Sequence, residues 1–240
     1  MIFAAGLGSR LGTATANKPK ALVKVGDFTL LEMAIKRLQE SGFQEIMINV
    51  HHYAEQIIDF VNTYKGEAKL FLSDEREKLL DTGGGLFKAA HFFEKEEAFL
   101  VYNVDILSTI DLQNLMSTHL KNKNLATLVV RSRETQRYLL FDEKNNLCGW
   151  TNVKTGERII SRPCENPRNF AFSGIHIISP EIFGLYNCAP NSKFSTTEMY
   201  LELSKNHSIQ CFIDEQSKWL DVGKPDTLKE AEQNLNIYMP

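Results

Sequence analysis

The chain has 240 residues, with 27 Lys+Arg against 30 Asp+Glu, a formal charge of −3, 24% charged and 43% hydrophobic residues. A chain of this length buries about 70% of the surface it exposes when unfolded, so its core needs neither a disulfide nor a structural metal. Near-neutral charge without a Lys/Arg run excludes an electrostatic footprint for nucleic acid or an anionic membrane, and no apolar stretch reaches the ~20 residues of a spanning helix. The apolar start Met1 to Ala5 is short and lacks the charged flank of a signal peptide, so a cytoplasmic location is expected. Cysteines at 148, 164, 188 and 211 are 16, 24 and 23 residues apart. With no C-x-x-C pair, metal-knuckle and redox readings fail, and four free thiols are expected.

In chain order, residues 2 to 5 read as a buried strand. Thr29-Leu30-Leu31-Glu32 opens a helix with the Thr-x-x-Glu capping pattern, continues through Ala34, Ile35 and Leu38, and stops at Gly42. Gln44 to Val50 is a strand, a helix with Ile57, Ile58 and Val61 on one face ends near Gly66, and Ala68 to Leu72 is a third strand. This β-α-β-α-β order predicts an α/β protein with a Rossmann-like, three-layer arrangement around a mostly parallel mixed sheet, ligands lying at the carboxyl ends of the strands. After the strand Ala98 to Asn103, a helix around Leu112 to Leu120 and the strand Leu125 to Arg131, the texture changes to hairpins at 138–141, 147–150, 158–161 and 170–178. Helices resume near Pro180, Ser195 and Pro225. Without repeats or a Pro-rich linker, one domain over 1–240 is expected, a nucleotide-type half at 1–105 and a substrate-binding half at 106–240.

Directly after the first strand stands Ala4-Ala5-Gly6-Leu7-Gly8-Ser9-Arg10-Leu11-Gly12. Glycines there let the backbone turn sharply and bring N–H groups against an anion. Leu11 breaks the G-x-G-x-x-G dinucleotide fingerprint, and no Lys-Ser/Thr pair completes a Walker A loop. Arg10, with Lys18 and Lys20 flanking Pro19, suits a polyphosphate. The alternative is a plain glycine turn with solvated cations. A second cluster, Asp81-Thr82-Gly83-Gly84-Gly85, makes poor helix at about 1 kcal/mol per glycine against alanine, so a flexible loop or a flat group such as a nucleobase lying on bare backbone is expected. Asp105, just past a strand, and Asp221, between an apolar run and Val222-Gly223, together suit Mg²⁺, which takes one or two carboxylates and completes its shell with phosphate and water. Trp219 and Phe172 read as core. His51-His52 cannot chelate one ion, because consecutive strand residues point to opposite faces.

These residues resemble the sugar-1-phosphate nucleotidylyltransferases, whose A-A-G-x-G-[ST]-R loop, Pro-Lys and two metal-binding aspartates stand here as Ala4 to Arg10, Pro19-Lys20, Asp105 and Asp221. Thr82 to Gly85, Phe172-Ser173-Gly174-Ile175 and Trp219 to Gly223 are similar to the short bacterial N-acetylmuramate-1-phosphate uridylyltransferases and to mannose-1-phosphate guanylyltransferases. The resemblance implies the nucleotide-diphospho-sugar transferase fold, with Ala5, Gly6, Gly8 and Ser9 cradling phosphates, Arg10 and Lys20 catalytic, and Asp105 and Asp221 on Mg²⁺. It also implies Thr82 and Gly83 at the base, and Asn103 and Gly174 at the sugar. The implied partners are a nucleoside triphosphate and a sugar-1-phosphate, best matched by UTP with N-acetylmuramate-1-phosphate, or else GTP with mannose-1-phosphate. The chain is expected to act as a monomer or small homo-oligomer. Asn103-Val104-Asp105 replaces the family's Asn-Gly-Asp, and Glu165-Asn166-Pro167 stands where many members carry Glu-Lys-Pro. A non-catalytic nucleotide-binding module is the rival reading. Retention of Arg10, Lys20, Asp105 and Asp221 together argues against it.

Overall fold

The computed structural model describes residues 1–239. The backbone forms two compact units that interleave along the chain rather than meeting once at residue 105: residues 1–79, 102–113 and 217 onward make the first, residues 80–101 and 114–216 the second.

The first unit holds a parallel sheet. Ile2–Phe3 pairs with Glu45–Val50 on one side and with the end of Phe99–Asn103 on the other, and Glu45–Val50 pairs in turn with Lys69–Asp74. Parallel neighbours need crossovers, and the helices Leu30–Glu40 and Ala54–Thr63 supply them. Thr29 caps the first as expected: its Oγ1 accepts from the Glu32 N–H (3.1 Å) and its own N–H donates to Glu32 Oε2 (2.6 Å). Past the helix end at Glu40, Gly42 takes φ +89°. Leu30, Leu31, Met33, Ala34, Ile35 and Leu38 bury one face of this helix. In Glu45–Val50 every residue after Glu45 is buried, the pattern of a strand covered on both sides.

The second unit is built around the long strand Arg168–Ile178, antiparallel to Ala126–Arg131 and to Arg137–Phe141. The hairpin strands Leu147–Asn152 and Glu157–Ile160 extend it on one side, and Ile209–Ile213 joins Ala126–Arg131 in parallel. The α/β class with a mixed sheet is therefore what the chain adopts. Phe172 and Trp219 are only half-buried, a departure from the core role expected of them.

The triple glycine is a larger departure. Gly83, Gly84 and Gly85 lie inside the helix Asp81–Lys88 and are buried. A Cβ on Gly83 would lie 2.4 Å from the Phe194 ring, and one on Gly84 would lie 2.3 Å from the Ser192 carbonyl oxygen. The Gly83 and Gly84 N–H groups both donate to the Phe194 carbonyl (2.9 and 3.2 Å). A phenylalanine of the same unit thus lies against Gly83, and the segment is a helix rather than the flexible loop that was one expectation. Close packing outweighs the low helix propensity.

Two buried histidines make the second unit acid-sensitive. His119 bonds Thr127 Oγ1 (2.9 Å) and Ser179 Oγ (3.0 Å), and His176 Nδ1 meets the Tyr200 hydroxyl (2.6 Å). Burial lowers their pKa values to about 4 and about 3 from 6.5. Because the folded values lie below the unfolded one, the unfolded chain takes up these protons first. Stability should be unaffected by them above pH 6.5 and fall as pH drops towards 4, by about 1.4 kcal/mol per pH unit for each histidine. Urea midpoints at pH 7, 6 and 5 check this, and His119→Gln should remove about half of the histidine-dependent slope.

Candidate active site

The site residues of the first unit come from the carboxyl ends of its parallel strands and from one short antiparallel pair. The chain leaves Ile2–Phe3 into the glycine loop, where Asn49 holds it: the Ala4 and Ala5 N–H groups both donate to Asn49 Oδ1 (2.7 and 3.3 Å). Gly6 is exposed, and a Cβ there would meet nothing within 4 Å, so its backbone faces open space. Gly8 is required on two counts. It has φ +66°, and a Cβ would lie 2.9 Å from Lys20 Cβ and 3.0 Å from Thr15 Cγ2. The loop closes when the Leu11 N–H donates to the Gly8 carbonyl (3.0 Å), beginning the 3₁₀ segment Ser9–Thr15, on which Ser9 and Arg10 are exposed. Its far end is tied down by the Tyr53 hydroxyl, which donates to the Ala16 carbonyl (2.8 Å), and by Gln56 Nε2, which donates to the Asn17 carbonyl (2.9 Å).

Pro19, with φ −68° and ψ 152°, turns the chain into Lys20–Leu22. Lys20 is buried (7% exposed), and its ammonium bonds Asp105 Oδ2. Trp219–Asp221 pairs antiparallel with Ile106–Ser108, setting Asp221 opposite Ile106, and the Val222 N–H donates to the Asp105 carbonyl (2.8 Å). Two acids 116 positions apart in sequence are thereby brought to neighbouring backbone positions. Arg10 Nη2 stands 4.0 Å from Asp221 Oδ2, both side chains partly exposed. Gly223 makes room for that pair: a Cβ there would lie 2.6 Å from Asp221 Oδ1 and 2.8 Å from Arg10 Nη2.

Two carboxylates, one from the turn between Asn103 and Ile106 and one from the strand Trp219–Asp221, form a hard-oxygen donor set, which suits Mg²⁺ with phosphate and water completing the shell. Among the described residues no group of three His, Cys, Asp or Glu side chains forms a fuller protein cage. Asn103 ends its strand, pairing with Phe3, two residues before Asp105. The structure thus gathers the glycine loop, Arg10, Lys20, Asp105 and Asp221. Thr82, Gly83 and Gly174 belong to the second unit. There Thr82 Oγ1 accepts from the Thr196 N–H (2.9 Å), and Gly174 (φ +75°) occupies the register shift between Phe172 and His176. Sequence reasoning missed Asn49, although a lone amide in the apolar run Ile46-Met47-Ile48-Asn49-Val50 was the available signal.

A family model described as nucleotidyl transferase matches residues 1–236. The chain belongs to that family. It is 28% identical over 229 residues to a mannose-1-phosphate guanyltransferase of Yarrowia lipolytica, the match covering 94% of this chain and 60% of that protein. It is 25% identical over 249 residues to an N-acetylmuramate alpha-1-phosphate uridylyltransferase of Caulobacter vibrioides, covering 98% of this chain and 96% of that one. The chain thus spans about 60% of the length of the fungal relative. The solved structure of HddC from Yersinia pseudotuberculosis superposes with a TM-score of 0.78 at 21% identity, covering 98% of this chain and 97% of that one. That likeness shows the nucleotide-diphospho-sugar transferase fold. Among the described residues no helix is long and apolar enough to cross a membrane.

In this nucleotidyl transferase the crowding at Gly223 is testable. Gly223→Ala should leave the fold near its wild-type melting temperature while parting Arg10 from Asp221, and turnover should fall by about 10- to 100-fold, the scale of a 1 Å misplacement. Melting curves beside pyrophosphate-release assays check both halves.

Proposed function

We propose that the chain transfers a nucleoside monophosphate from a nucleoside triphosphate to a sugar-1-phosphate, releasing pyrophosphate. The observation that carries this reading is the meeting of a phosphate-type glycine loop with two cation–carboxylate pairs, Lys20–Asp105 and Arg10–Asp221, in one unit. A sugar-1-phosphate oxygen attacks the α-phosphorus in line, forming a P–O bond as the bond to pyrophosphate breaks. The nucleophile is already an anion, so no general base is needed. Alignment and charge neutralisation carry the rate.

In this reading the backbone of Ala5, Gly6 and Gly8 and the Ser9 hydroxyl receive the triphosphate, Lys20 meets the α-phosphate, and Arg10 follows the charge that develops on pyrophosphate. Asp105 and Asp221 would hold Mg²⁺, which supplies neutralisation of phosphate charge. Thr82 is kept for the base, and Asn103 and Gly174 for the sugar. The specific reading we favour is UTP with N-acetylmuramate-1-phosphate, supported by the near end-to-end match with the Caulobacter vibrioides relative. The 28% identity to the Yarrowia lipolytica protein supports GTP with mannose-1-phosphate as the second reading.

Four nucleoside triphosphates crossed with several sugar-1-phosphates, read as pyrophosphate release, test the proposal. Turnover should need both substrates and a divalent cation, and activity surviving full chelation by EDTA would remove the metal assignment. Arg10→Ala should lower kcat by about 10²–10³ with little effect on folding, since Arg10 is exposed and its charge is needed mainly in the transition state. Near wild-type kcat would leave Arg10 a solvated loop cation. The two aspartates should differ. Asp221→Asn should keep its melting temperature and need more Mg²⁺, whereas Asp105→Asn should also lose stability, because it strands the buried Lys20 ammonium. A Mg²⁺ titration of turnover beside thermal melts separates these outcomes.

A further inference from the structure

Behind the glycine loop lies a buried polar relay that crosses three parallel strands. Asn49 is 3% exposed and Glu75 1% exposed. Asn49 sits near the end of Glu45–Val50, level with Phe3 on one neighbour and Ser73 on the other. Its carboxamide is used from both ends: Oδ1 accepts from the Ala4 and Ala5 N–H groups, and Nδ2 donates to Glu75 Oε1 (2.7 Å). Glu75 directly follows Lys69–Asp74 and is fixed in turn, its own N–H donating to the Val50 carbonyl (2.8 Å).

A buried carboxylate is costly unless hydrogen-bonded, and here it orients an amide whose other end captures the two N–H groups where strand becomes loop. Rotation of the carboxamide by half a turn would set an NH₂ group against Ala4 and Ala5 and an oxygen against Glu75. The carboxylate forbids that flip. The direction in which the chain leaves its strand, and so the aim of the next amides at Gly6 to Gly8, follows from the Asn49–Glu75 bond.

We propose that Asn49, oriented by Glu75, is the positioning residue that sets the glycine loop for the triphosphate. This rests on the nucleotidyl-transfer reading above, although neither side chain is assigned to touch substrate. Outer groups that orient a site typically change affinity or activity by about 10- to 100-fold when lost. The expected signature is a rise in KM for the nucleoside triphosphate together with a fall in kcat, while KM for the sugar-1-phosphate stays put.

The test is a double-mutant cycle read in two independent ways. Asn49→Asp opposes two carboxylates and should give the kinetic loss, together with faster hydrogen exchange at the Ala4 and Ala5 amides. Glu75→Gln keeps an oxygen facing the amide and should be milder. The double variant Asn49→Asp/Glu75→Gln reverses donor and acceptor between the two side chains while keeping an oxygen for both loop N–H groups, so it should recover most of the lost activity and slow exchange again. Wild-type kinetics in Asn49→Asp, or a double variant no better than the single one, would overturn the inference. Should the wild type turn over no substrate pair, the functional reading falls, yet exchange at Ala4 and Ala5 still decides the relay: protection unchanged in Asn49→Asp would refute it.

Discussion

Three residue pairs of backbone, Trp219–Asp221 against Ile106–Ser108, hold the two acids of the candidate site together. Without this pairing Asp105 would simply stand in the turn after a parallel strand, and Asp221 far along the chain. With it, Val222 closes onto the Asp105 carbonyl and Gly223 leaves space for Asp221 and Arg10 to approach. Short strands are weak alone, so this pair depends on the rest of its unit, which includes the parallel sheet with helical crossovers and the buried strand Glu45–Val50.

The electrostatics of the site follow from burial. Arg10 and Asp221 face solvent 4.0 Å apart, a pair that contributes little to stability and leaves the guanidinium free to meet a phosphate. Lys20 is buried and Asp105 largely so, at 20% side-chain exposure, so loss of Asp105 leaves the Lys20 charge unbalanced in a poorly hydrated place. One pair is therefore partly exposed, and the other is part of the fold. On the proposed reading, both hold opposite charges where a polyphosphate would insert its own, so the site is organised before substrate arrives.

Glycine serves three different purposes in the same chain. At Gly8 it admits a left-handed turn against Lys20, at Gly223 it clears room for a charged pair, and at Gly83–Gly84 it brings a helix onto the backbone of Ser192 to Phe194. The first two serve the candidate site and the third serves packing. Composition alone cannot separate these uses, since each depends on what approaches the missing Cβ.

The periodicity of Leu30 to Leu38, the Thr29–Glu32 cap, the apolar run before Ala4 and the glycines after it determined an α/β chain with an anion-type loop behind its first strand, because these signals are local and need only neighbours a few residues away. Arg10 and Lys20 were legible as cations in and just after the glycine loop, and Asp105 and Asp221 as acids at or just past strand ends, for the same reason. Their pairing was not. Which cation meets which acid depends on the register of Trp219–Asp221 with Ile106–Ser108, a contact between segments more than 100 residues apart that no local pattern encodes. The glycine helix reversed a propensity-based expectation because a phenylalanine 111 positions beyond Gly83 packs on it. Asn49 and Glu75 meet only because adjacent parallel strands place their ends side by side, so tertiary structure alone turned two scattered polar residues into the support of the loop.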